Sequence, residues 1–168
     1  TVAWGRVAVA LWSGDVAAAR RLGRDCLGRM RVLAPHNTEQ EYWRNSSIFY
    51  PGVLVAQAEL RLGDPAAAEQ VLREALAARS RWPVHTNGDR RELADAQTWL
   101  AISLAREGKT AEAATVIAPA VRLHRELAAR NRGDELQHLQ LAAALYAEAL
   151  ARREAHDGLV REAAGLVA

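Results

Sequence analysis

The sequence predicts an all-α protein, a stack of antiparallel helix hairpins, and three observations predict it. The first is an internal repeat. Gly14-Asp15-Val16-Ala17-Ala18-Ala19, Gly63-Asp64-Pro65-Ala66-Ala67-Ala68 and Gly108-Lys109-Thr110-Ala111-Glu112-Ala113 each follow an apolar helical run and open another, with the glycines 49 and 45 residues apart. A fixed period in this range is the signature of stacked helical hairpins, because one hairpin cannot bury its apolar face alone. The second is composition: half the residues are apolar but only 5% are aromatic, and alanine, the best helix former, dominates. The third is punctuation, since capping residues and glycines fall between the apolar runs.

The elements follow in order. A first helix runs from the N-terminus to Trp12; Gly14 breaks it and Asp15 caps a second that runs to about Leu33. Ala34 to Thr38 is a loop and cap cluster. A third helical region spans about Thr38 to Leu62, with Pro51-Gly52 predicting a kink or fresh start inside it. Asp64 caps the next helix, whose first position, Pro65, needs no N–H. Arg81 to Gly88 reads as a loop, followed by a long helix from about Asp89 to Glu107. Thr110 is expected to cap the next helix, to about Arg130, which Pro119 should bend. Asn131-Arg132-Gly133 is a stop signal, and Asp134 caps a helix to about Arg153. Asp157-Gly158 precedes a last apolar run, Leu159-Val160 to Leu166-Val167.

The small residues recur in register: Val7, Ala56 and Ala101 seven before each glycine; Ala19, Ala68 and Ala113 five after; Cys26, Ala75 and Ala120 twelve after. In these slots the chain resembles the tetratricopeptide-repeat family. The departure is the period, 45–50 residues here against a family norm of about 34, as in the extended repeats of large bacterial signalling and regulatory proteins. The resemblance covers three units and a partial fourth around Leu145 to Leu150. It implies one right-handed superhelical α-solenoid domain over residues 1–168. The chain opens inside a helical pattern at Thr1-Val2-Ala3-Trp4 without an initiator methionine, which predicts a piece of a longer protein.

The resemblance also implies a protein–protein interaction scaffold that binds a peptide or partner segment along its first helices. The groove-facing slots carried over include Trp4, Tyr50, Gln57, Arg61, Asp95, Thr98, Arg106, Glu148 and Arg152. Arg61, Arg106 and Arg152 share a register and suit an acidic partner, because guanidinium forks grip carboxylates in two-point contacts. They also lie in the last turns of their helices, where a cation meets unpaired carbonyls, so capping competes with binding. Two other readings stay open: a regulatory sensor domain taking a small peptide or metabolite, and a homo-oligomerisation module pairing through exposed ends near Trp4 and Trp12.

Enzyme chemistry is not expected. Gly108-Lys109-Thr110 lacks the glycine five residues earlier, where Ser103 stands, and has no preceding strand. Glu135-x-x-His138 occurs once, whereas a di-metal helix site needs it twice. The histidines show no paired zinc spacing. No nucleophile elbow is present, and no cofactor or metal is expected. The net charge of +2 gives little drive toward nucleic acid. The arginines at 20, 21, 24, 29 and 31 lack interleaved aromatics and read as a solvated outer face. No apolar stretch reaches the ~18–20 residues of a membrane span. Cys26 falls in a buried slot, which predicts an inert thiol. One unpaired cysteine and no signal-peptide pattern predict a cytoplasmic chain.

Overall fold

The computed structural model describes residues 3–131 and 133–152. These are all-helical, with no strand among them. The helices are α1 (Ala3–Trp12), α2 (Val16–Val32), α3 (Thr38–Arg61), α4 (Pro65–Arg79), α5 (Asn87–Arg106), α6 (Thr110–Arg130) and α7 (Glu135–Arg152). The chain divides into two compact units, Thr1–Pro83 with α1–α4 and Val84–Ala168 with α5–α7. The apolar run at Leu159 to Val167 lies outside the described residues.

The three repeat glycines all adopt a left-handed backbone, with φ of 88°, 82° and 82° at Gly14, Gly63 and Gly108. Only glycine takes this conformation without steric cost. At Gly63 and Gly108 it closes a Schellman turn: the N–H of Asp64 reaches the Glu59 carbonyl at 2.9 Å, and that of Lys109 reaches Leu104 at 2.9 Å. Asp15 and Asp64 then accept from the N–H of Ala18 and Ala67 at 2.9 and 3.0 Å, starting α2 and α4. Asp134 starts α7 in the same way through Gln137.

Two boundaries differ from the sequence reading, and of the kink or fresh start expected at Pro51 one is absent. The residue before α6 is Lys109, with no side-chain cap, and Thr110 is already helical. α5 begins at Asn87, ahead of the expected Asp89, because Thr86 and Asp89 form a reciprocal capping box (3.0 and 2.8 Å). α3 runs unbroken through Pro51, so the fresh start does not occur.

Within the first unit, Trp4 of α1 lies beside Tyr50 of α3, their ring centroids 6.4 Å apart. Farther along both helices, the Leu11 carbonyl of α1 accepts from Arg61 of α3 at 3.1 Å. The two helices therefore advance side by side in the same direction, and α2 packs against both. Two apolar clusters hold this unit: Val7, Leu11, Ala19 and Ala58 at one end, and Leu27, Ile48, Val55, Val71 and Ala78 at the other. Gly23 marks the tightest crossing, where an added Cβ would stand 2.1 Å from a Val55 methyl. In the second unit α5, α6 and α7 pack mutually around Leu100, Leu104, Ile117, Val121, Leu127, Leu141 and Leu145. Every small-residue slot of the repeat is buried, Cys26 included, and burial raises the Cys26 thiol pKa, Asp25 adding to the rise.

Candidate functional site

Four of the expected partner-binding residues belong to α1 and α3. Helical spacing puts Tyr50, Gln57 and Arg61 along one side of α3, at i, i+7 and i+11. Trp4 joins them from α1. Trp4 and Tyr50 are 55% and 40% exposed as residues, leaving apolar surface open to solvent. Gln57 is half-buried between them and Arg61. The Arg61 guanidinium is not free: it satisfies the Leu11 carbonyl at the end of α1. Capping thus takes place, but across to the neighbouring helix rather than on the arginine's own. A second aromatic group sits on the first half of α3, where Tyr42 makes edge contacts with Trp43 and Trp82 at 5.4 and 4.9 Å.

The remaining expected residues belong to the second unit and differ among themselves. Arg106 is exposed in the last turn of α5. Arg152 pairs with Glu148 one turn earlier on α7, so these two are bound to each other. Thr98, expected to face a groove, is buried instead, its hydroxyl donating to the Ala94 carbonyl at 2.8 Å. Asp95 also turns inward. Its side chain is 32% exposed, Gln140 of α7 donates to its Oδ2 at 2.5 Å, and His124 Nε2 of α6 stands 3.6 Å from its Oδ1.

This Asp95–His124–Gln140 junction was not legible as a unit in the sequence. His124 is fully buried and neither ring nitrogen has a hydrogen-bond partner; Gln137 Oε1 and Gln140 Oε1 are likewise unpaired. Burial pushes the Asp95 carboxyl up to about 7, over the opposing pull of Arg91 and the Gln140 bond, with Glu92 adding to the rise. Burial pulls His124 down to about 4, with Arg91 adding to the fall. One signal existed: His124 lies four residues after the slot residue Ala120 and four before Ala128, on the buried face of its helix.

A second polar group escaped the sequence reading. Glu59 of α3 is 0% exposed, and Arg24 and Arg20 of α2 reach its carboxylate at 2.6 and 3.8 Å. Arg31 forks onto Glu74 of α4 with contacts of 2.9 and 2.5 Å. Arg29 pairs with Asp25. Arg20, Arg24 and Arg31 are therefore interhelical ties, while Arg29 pairs within α2, and all four side chains stay 42–74% exposed, as an outer face would be. Among the described residues no cluster of three or more His, Cys, Asp or Glu could hold a metal ion.

Comparisons with protein-family models, curated proteins and solved structures found no match.

Proposed function

We propose that the chain is a protein-interaction module built from tetratricopeptide-like hairpins, and that the shared face of α1 and α3 holds a peptide or partner segment. The observation that carries this reading is the side-by-side placement of α1 and α3, which sets the exposed rings of Trp4 and Tyr50 together. Solvent-exposed aromatics in contact supply large apolar area at low conformational cost. Gln57, half-buried between Tyr50 and Arg61 along α3, supplies an amide for a peptide backbone in this reading. Arg61 has five N–H donors and spends one on Leu11, which leaves it able to meet an acidic group.

The test is selection of peptides from a displayed random library on the full chain, followed by titration against the double variant Trp4→Ala/Tyr50→Ala. Affinity for the selected peptides should fall by at least about tenfold, the loss of one hot-spot pair. Retained affinity in the variant would rule this face out.

A homo-oligomeric reading has one observation behind it. Val9 and Trp12 of α1 lie three positions apart on one helix face, and Trp12 is 73% exposed. Mass measured by light scattering should rise with concentration and stay monomeric in Trp12→Glu if this face pairs copies. A constant mass in both proteins would remove that reading.

A further inference from the structure

Two helices carry apolar residues that the described residues of their own unit leave open. α1 buries Val7, Ala8 and Leu11, while Val9 and Trp12 are 65% and 73% exposed. α7 buries Leu141, Ala144, Leu145 and Ala147, while Leu136, Leu139 and Tyr146 are about half exposed. Glu135, Leu139 and Tyr146, at i, i+4 and i+11, share one side of α7, with Leu136, Ala143 and Leu150 beside them.

Each open face has one charge, and the two are opposite. Arg6 is the only charged residue of α1 and stands one turn before Val9. Glu135 stands one turn before Leu139. Both are exposed, and neither has an ion-pair partner among the described residues.

The order of charge and apolar residues fixes how the two faces match. With Arg6 opposite Glu135 and the helices parallel, Val9 falls beside Leu139 and the Trp12 indole beside the small side chains of Ala142 and Ala143. With the helices antiparallel, the same ion pair would carry Val9 and Trp12 past the start of α7. Parallel is also how α1 already lies against α3. Pairing α1 with α1, or α7 with α7, brings no opposite charge to either face.

We propose that copies of this chain join through unlike faces, α1 of one copy lying parallel to α7 of the next, with Arg6 of one against Glu135 of the other. The proposal rests on the homo-oligomeric reading above and supplies the second face that it lacks. A contact between unlike faces does not close as a twofold pair does, so the assembly extends beyond a dimer. A ten-residue helix covers less than the ~1,200 Å² of a stable interface, so the association is weak, reversible and dependent on concentration. The ion pair sits at the rim and sets direction and register rather than strength.

The experiment is light scattering of the full chain over a concentration series, with Trp12→Glu, Leu139→Glu and their equimolar mixture. Wild type should climb past the mass of a dimer. Each variant alone should stay monomeric, and the mixture should form a dimer and nothing larger, because each variant keeps the face that the other has lost. Arg6→Glu should weaken association by at least about tenfold, and Glu135→Arg in the same chain should restore it. These charge variants also decide the matter if an apolar variant does not fold. Pairing that survives Leu139→Glu but not Trp12→Glu would mean that α1 meets α1: the homo-oligomeric reading would stand and this proposal would fall. A wild type that stays monomeric throughout, a mixture that stays monomeric, or charge variants without effect would also overturn it.

Discussion

Gly23 and Gly28 lie five residues apart on α2 and predict opposite responses to the same substitution. An added Cβ at Gly23 would meet a Val55 methyl at 2.1 Å, closer than atoms can approach, and valine is stiff at χ1. Gly23→Ala should therefore destabilise by about 1–3 kcal/mol, as overpacking does. At Gly28 nothing lies within 4 Å, so Gly28→Ala gains helix propensity alone and should stabilise by about 0.5–1 kcal/mol. Urea midpoints of the two variants check both signs. The Glu59 carboxylate sets a third contrast. Removing its partners in Arg20→Ala/Arg24→Ala strands a buried charge, whereas Glu59→Met removes the charge itself. The arginine double variant should be the less stable of the two, by about 1–3 kcal/mol. Equal midpoints would show that water, admitted past the half-exposed arginines, already solvates Glu59.

At the scale of the element, the local signals were the readable ones. A left-handed glycine followed by an aspartate is a short-range instruction, and it places the ends of α1 and α3 and the starts of α2 and α4. Gly63→Ala, which forces a Cβ into φ 82°, should cost about 1–2 kcal/mol by thermal or urea unfolding. The start of α6 was misread because Thr110 is a good capping type standing one residue too late: the Gly108 turn already delivers Lys109 as the flanking residue. The start of α5 was misread for the opposite reason, since the Thr86–Asp89 box overrides the turn preference of Asn87-Gly88. Face assignment fared less evenly. Trp4 lies beside Tyr50 and Arg61 reaches the end of α1, whereas Thr98 and Asp95 turn inward. Their positions satisfy the same helical period, yet a period cannot say which neighbour covers a side chain. Polar pairs between distant helices, such as Asp95 with His124, arise from tertiary contact and leave no pattern in sequence.

At the scale of the molecule, no described helix is long and apolar enough to cross a membrane, and the net charge is only +2. The proposed peptide face and the Asp95–His124–Gln140 junction belong to different units: Trp4, Tyr50, Gln57 and Arg61 precede Pro83, whereas Asp95, His124 and Gln140 follow it. A chain ending at Pro83 should therefore keep the peptide affinity of the full chain, measured by titration with the same selected peptides. Loss of affinity in a folded 1–83 fragment would place part of the binding surface after Pro83.

The close crossing of α2 on α3 also ties geometry to charge. Gly23 lies between Arg20 and Arg24 on α2, and Val55 lies one turn before Glu59 on α3. Any side chain that wedges the crossing apart also draws the guanidinium groups away from the carboxylate they neutralise. Substitutions at the two places are then energetically non-additive. A thermodynamic cycle should show Gly23→Ala costing less in a Glu59→Met background than in the wild type, because the wedge then has no ion pair left to break.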